Sequence, residues 1–249
     1  MANELITRIL TPDQQAALVQ TLQDPPKRGP GETFSVPVAS HTIFYEPVSP
    51  RESAVDTYRV RVVGPHGEDI SNYLQSRSWL YRGDPFNAAL NWYVFEEAGP
   101  EAVTFHIVDL ASGKVALFQH ADIIFSFWYT GTSELVYHDI SRLNVDSWFG
   151  FDVATGKSRC FFVGGETAYL VLNGQFMLVV ASAVLFVALV EMSLGKMVAR
   201  VLPGDFANFA PHLTRLKILH FDPEISTLYL LLAQAGTEFE TALAIEAKE

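Results

Sequence analysis

The sequence predicts an all-β protein built from antiparallel four-stranded meanders, with one short helix near its start. Three observations predict it. The first is residues 168–202, AYLVLNGQFMLVVASAVLFVALVEMSLGKMVARVL, which carry no charge over the fifteen positions 176–190. A membrane-spanning helix needs about 20 apolar residues, and Asn173-Gly174 just upstream is a strong hairpin signal because both residue types tolerate positive φ. With turns at Asn173-Gly174, Ala181-Ser182-Ala183 and Ser193-Leu194-Gly195, the intervening Val, Phe and Leu residues suit a pleated surface and make four strands. The second observation is an internal repeat. Asp109-Leu110-Ala111-Ser112-Gly113-Lys114, Asp152-Val153-Ala154-Thr155-Gly156-Lys157 and Glu191-Met192-Ser193-Leu194-Gly195-Lys196 share an acid, three residues and Gly-Lys, with glycines 43 and 39 residues apart. Each copy lies between two apolar strand-like runs. The glycine supplies the positive φ of a tight hairpin, the acid bonds turn amides, and the lysine starts the outgoing strand. The third observation is that only one segment has a convincing helix start.

That helix opens at Thr11-Pro12-Asp13-Gln14. Thr11 caps it, Pro12 suits the first helical position, and Gln14 completes a capping box. It is expected to run to about Gln23, with Ala17, Leu18 and Leu22 as a narrow face for docking on a sheet, and to stop at Asp24-Pro25-Pro26. A Pro/Gly-rich linker follows. The domain division is therefore 1–32 for helix and linker and 33–249 for the repeat domain.

A unit of about 40 residues with four short strands and one recurring hairpin is the signature of a propeller blade. The D-x-A-T-G-K turn resembles the outer hairpin of quinoprotein-type and WD40-like β-propellers over roughly residues 57–202. No particular family matches: the Gly-His and Trp-Asp dipeptides of WD40 repeats and the Trp-docking pattern of quinoprotein enzymes are missing, so no quinone or other cofactor is expected. The repeat places units at about 34–76, 77–120, 121–164, 165–204 and 213–249, with a degenerate copy of the turn at Val63-Gly64-Pro65-His66-Gly67-Glu68. The last unit lacks an outer strand, which an early segment such as residues 33–38 is expected to supply. The alternative architecture is an open curved β-sheet.

Composition narrows the function classes. A chain of 249 residues, 49% hydrophobic and only 18% charged, can bury a large core. Its net charge of -11 repels a phosphate backbone, and no basic cluster offsets it, so nucleic acid is not expected as a partner. Cys160 is the sole cysteine, which excludes an intrachain disulfide and a CxxC site; between Arg159 and Phe161-Phe162 it is expected to be a packed, inert thiol. The absence of a signal-peptide pattern and of Asn-x-Ser/Thr sequons fits a cytoplasmic protein with no membrane partner.

No catalytic signature is present. Gly156-Lys157-Ser158 looks like the end of a phosphate loop, but Gly150 lies one residue too far upstream and no helix follows. The seven histidines are scattered, without metal-ligand spacing. Asp122, just before an inner strand, is where a propeller glycosidase would place an acid, yet the position does not recur in other units. The suggestive group is aromatic: Trp79, Tyr81 and Arg82, then Trp92, Trp128, Tyr129 and Trp148, all near strand ends, with the composition of an interface hot spot. The expected function is a non-enzymatic protein-interaction module, a scaffold or adaptor binding a partner through a loop face or channel mouth. The alternatives are an acidic immunity or inhibitor protein neutralising a basic toxin or nuclease, and a glycosidase-like five-bladed propeller.

Overall fold

The computed structural model describes residues 4–21, 33–47, 58–70, 77–79, 86–98, 103–120, 123–140, 145–207, 213–234 and 240–248. Most are strand. The chain opens with β1 (Glu4–Ile9) and α1 (Pro12–Thr21), and then forms a continuous series of antiparallel strands. The first two units share one sheet: β2 (Phe34–Val38), β3 (His41–Pro47), β4 (Tyr58–Val63) and β5 (Arg77–Trp79), then β6 (Phe86–Asn87), β7 (Trp92–Ala98), β8 (Val103–Asp109) and β9 (Val115–His120). They are joined because β5 pairs with both β4 and β7. The third sheet is β10 (Ile123–Trp128), β11 (Glu134–Asp139), β12 (Ser147–Asp152) and β13 (Lys157–Val163) in order. The fourth is β14 (Thr167–Val171), β15 (Phe176–Ala181), β16 (Phe186–Glu191) and β17 (Lys196–Val201). After a one-turn helix α2 (Pro203–Phe206) come β18 (Leu213–Asp222), β19 (Thr227–Gln234) and β20 (Glu240–Lys248).

The uncharged run of residues 176–190 is explained by the fourth sheet. It spans β15 and most of β16, the two central strands, and every residue of β15 is buried. A strand covered on both faces has no polar side and reads as a continuous apolar segment. Among the described residues no helix is long and apolar enough to cross a membrane.

The last sheet has the order β1-β20-β19-β18. Its outer strand is therefore residues 4–9, with Glu4 opposite Lys248 and Ile9 opposite Leu243, and not residues 33–38, which form β2 of the first sheet. The expectation that an early segment completes the last unit holds; the segment is a different one. Phe34, Val36 and Val38 are taken by the first sheet's own core, where Phe34 stacks on Tyr45, whereas Leu5 packs into the core of the last sheet. The helix begins as expected: Thr11 N–H donates to Gln14 Oε1 (3.0 Å) and Gln14 N–H to Thr11 Oγ1 (3.3 Å). Leu18 packs with Leu10, Ala242 and Ala244, which docks α1 on the last sheet. The described helix ends at Thr21, and Leu22 lies outside the described residues.

The chain divides into two compact units. One comprises residues 1–25, 145–149 and 160–249, the other residues 26–144 and 150–159. The core of the first is formed by the inward faces of the fourth and last sheets, including Leu178, Val180, Leu189, Leu228, Leu230 and Leu243. The core of the second is built from Ile43, Tyr45, Val60, Val62, Tyr93, Phe95 and Val108; inside it the Tyr45 and Tyr93 hydroxyls meet at 2.7 Å.

Candidate binding site

The acidic-Gly-Lys repeats are third-to-fourth-strand turns, and their geometry matches the chemistry the sequence implied. Gly113, Gly156 and Gly195 all have positive φ, 69°, 69° and 61°. Asp109 Oδ1 accepts from Ala111 N–H at 2.9 Å, and Asp152 Oδ1 accepts from Ala154 N–H at 3.0 Å. The residue after the acid has a second task that the sequence did not announce: its N–H reaches the carbonyl that ends the first hairpin of the same sheet. Leu110 donates to Asn91 (3.0 Å), Val153 to Ser133 (3.0 Å), Met192 to Gln175 (3.0 Å), and, in the last sheet, Ala247 to Ser226 (3.1 Å). In these four units the end of the third strand is thus tied to the turn between the first two.

In the third sheet this tie builds a groove. Its first hairpin turns through residues 129–134, where Tyr129 N–H donates to Glu134 O (2.9 Å) and Thr132 Oγ1 to Tyr129 O (2.9 Å). Ser133 Oγ donates to Asp152 Oδ1 (2.5 Å) and Thr155 Oγ1 to Asp152 Oδ2 (2.6 Å). The Ser133 and Thr155 hydroxyls hold the Asp152 carboxyl below the usual carboxylate range despite some desolvation. Across the sheet, Arg159 grips Glu134 with two bonds, Nε to Oε1 at 2.7 Å and Nη2 to Oε2 at 2.6 Å. The Glu134 side chain is 11% exposed and that of Arg159 41%, so the pair lies at the rim with its acid inside. The Glu134 hydrogen bond, with its charge, raises the Arg159 pKa, and Tyr129 adds a smaller electrostatic contribution. Thr132, Ser133, Glu134, Asp152, Thr155, Lys157, Ser158 and Arg159 together line a cavity of about 500 Å³.

The same hairpin carries part of the aromatic group. Trp92 and Trp128 meet with ring centroids 6.1 Å apart, tilted by 52°. Asn87 Nδ2 donates to Thr132 O (2.7 Å), fastening the β6–β7 turn to the groove's own turn. Trp92 and Tyr129 are half-buried, whereas Trp128, packed against Trp92, is only 5% exposed. Trp148 is separate: it is fully buried in β12 and donates its indole N–H to Gly165 O at 2.9 Å, so it presents nothing to a partner. Trp79 lies in β5; Tyr81, Arg82 and Asp122 are outside the described residues. Cys160, expected to be packed, is exposed, because residues 157–160 of β13 are all exposed. Among the described residues no group of three His, Cys, Asp or Glu side chains is placed to hold a metal.

Sequence reasoning missed Glu134, Asp152, Lys157 and Arg159 as a site. A signal was present: residues two apart on a strand share a face, so Lys157-Ser158-Arg159 after a hairpin turn already puts two cations side by side.

No family model matches the chain, and no curated protein matches it. Solved structures do. The chain is similar to the propeller domain of the Trilobed protease from Pyrococcus furiosus, described as having an open velcro topology, at 8% identity and a TM-score of 0.51, covering 87% of this chain and 70% of that one. The fold is that of a β-propeller. A second likeness, to the Dos1 propeller, has 10% identity and a TM-score of 0.50, covering 82% of this chain and 51% of that one. At these identities the likeness speaks for the propeller fold alone. The propeller blades correspond to the four-stranded units, with residues 4–9 completing the last.

Proposed function

We propose that this propeller is a non-enzymatic interaction module that holds a protein partner at the tied-hairpin end of its third blade. The observation that carries this is the junction of the two features there: half-buried Trp92 packs on Trp128, and half-buried Tyr129, the next residue, opens the turn that leads into the Glu134–Arg159 groove. Rigid aromatics beside an Arg held in one geometry are the material of interface hot spots. The groove's acids support a binding role over catalysis. A glycosidase needs one carboxyl with a raised pKa to serve as the acid, but the Asp152 pKa is lowered and both Glu134 oxygens are engaged by Arg159.

The test is capture of partners from the native extract at low salt and at about 0.5 M salt, where the screening length falls to roughly 4 Å. The expected result is a specific partner whose retention drops at least about tenfold, or ~1.4 kcal/mol, in Tyr129→Ala and Trp92→Ala. Capture indifferent to both substitutions overturns the proposal.

A further inference from the structure

Charge in the third-blade groove balances, with two acids and two bases, but hydrogen-bonding capacity does not. Both Asp152 oxygens accept from Ser133, Ala154 and Thr155, and both Glu134 oxygens accept from Arg159. Lys157 has three N–H donors and no acceptor, and its ammonium has no ion-pair or hydrogen-bond partner among the described residues, nor does the Ser158 hydroxyl. What the groove offers a ligand is therefore donors. Lys157 and Arg159 stand two residues apart on β13, so they share a face at a spacing of about 6.6 Å. Among the described residues β13 is the terminal strand of its sheet; the Gly195 turn approaches its Cys160–Phe161 part, while Lys157, Ser158 and Arg159 are exposed.

We infer that this groove takes an extended acidic peptide segment of the partner, with carboxylates at alternate positions facing Lys157 and Arg159. The inference rests on the interaction-module proposal and gives its partner a chemistry. An extended peptide presents residues i and i+2 on one face at the same ~6.6 Å interval as the two cations, so an acid-x-acid segment meets both at once, and its backbone lies along the exposed Lys157–Arg159 part of β13. Opposite charges placed across neighbouring strands stabilise such pairing, whereas a Lys-x-Lys segment meets like charge. A lone phosphate matches the groove less well, because the cations stand side by side along a strand and do not converge on one point. The Glu134 clamp has a positioning role: it fixes the Arg159 guanidinium at the rim.

The test uses the full chain and fluorescent eight-residue peptides of Thr, Val and Ser bearing Glu-x-Glu, Gln-x-Gln or Lys-x-Lys, read by anisotropy. The Glu-x-Glu peptide is expected to bind at least about tenfold tighter than the Gln-x-Gln peptide, a difference that shrinks at high salt. Lys157→Glu, an exposed change that leaves the fold's contacts in place, is expected to abolish the preference and admit Lys-x-Lys. Arg159→Lys keeps the charge but loses the two-pronged grip on Glu134, and is expected to weaken Glu-x-Glu several-fold. Equal binding of the Glu and Gln peptides, or a preference that survives Lys157→Glu, overturns the inference. If that happens while partner capture still depends on Tyr129, the interaction-module proposal stands without it; if capture is also indifferent to Tyr129 and Trp92, both fall.

Discussion

The turns at Asp152–Lys157 and Glu191–Lys196 have the same sequence plan and the same positive-φ glycine, yet opposite surroundings. A Cβ on Gly195 would sit 3.2 Å from the Phe161 carbonyl oxygen, while a Cβ on Gly156 would meet nothing within 4 Å. Asp152 is held by two hydroxyls, one from its own turn and one from Ser133 of the neighbouring hairpin. Glu191 accepts from Ser193 of its own turn, and Leu194 at that turn's tip is 70% exposed. A turn motif therefore specifies a hairpin and leaves its use to the neighbourhood: one copy backs onto another strand, the other forms the wall of an open groove. The last blade is the limiting case, since it keeps the tie from Ala247 to Ser226 with no connecting turn at all.

The largest expected effect tests that limiting case. Starting the chain at Thr11 removes β1 and bares the edge of β20, whose Leu243, Ala244 and Ile245 are buried. Loss of Leu5 and Leu10 packing costs about 3–5 kcal/mol, and the bared apolar edge is expected to self-associate; chemical denaturation and light scattering read the two effects, and an equally stable monomer would contradict them. Next, Gly195→Ala adds a close contact to αL strain and is expected to lose about 2–3 kcal/mol, against ~1–2 kcal/mol for Gly156→Ala, where only the strain applies. Equal losses by thermal melting would erase the contrast between the turns. Asp152→Asn is expected to cost about 1 kcal/mol through the Ser133 tie and to weaken the groove, whereas Glu191→Gln changes stability by ~0.5 kcal/mol or less. The smallest effect is in pH. The folded pKa of Asp152 lies below its unfolded value, so its contribution is complete above about pH 4 and fades as pH falls through the lowered folded value. Asp152→Asn is expected to flatten the stability profile in that acid window and nowhere else.

The blades were legible in the sequence because their turns are local. Asn173-Gly174, Gly113, Gly156 and Gly195 each decide backbone conformation within a few residues, and the strands between them fall within a residue or two of their expected places. What was not legible depends on partners far along the chain. No local pattern in Glu4-Leu5-Ile6 says that it pairs with β20, and nothing near Trp148 foretells the Gly165 carbonyl that takes its indole proton. The groove falls between these extremes. Its parts lie in two turns about twenty residues apart in the chain, each recognisable alone, and only the tie from Val153 to Ser133 makes them one surface. Cys160 was misjudged for a related reason: flanking phenylalanines suggest burial, but a terminal strand has only one covered side, and residues 157–160 stand clear of it.

The pairing of Glu4 with Lys248 also sets a schedule for folding. The interior blades join neighbours in the chain and can assemble as they leave the ribosome, but the last blade must wait for residues 240–248 to meet residues 4–9. Its closure brings together segments more than 230 residues apart, an entropic cost that grows only logarithmically with loop length yet delays the event until both segments have been made. Until then the β20 edge is unprotected, which makes this last step the one most dependent on dilution or a chaperone.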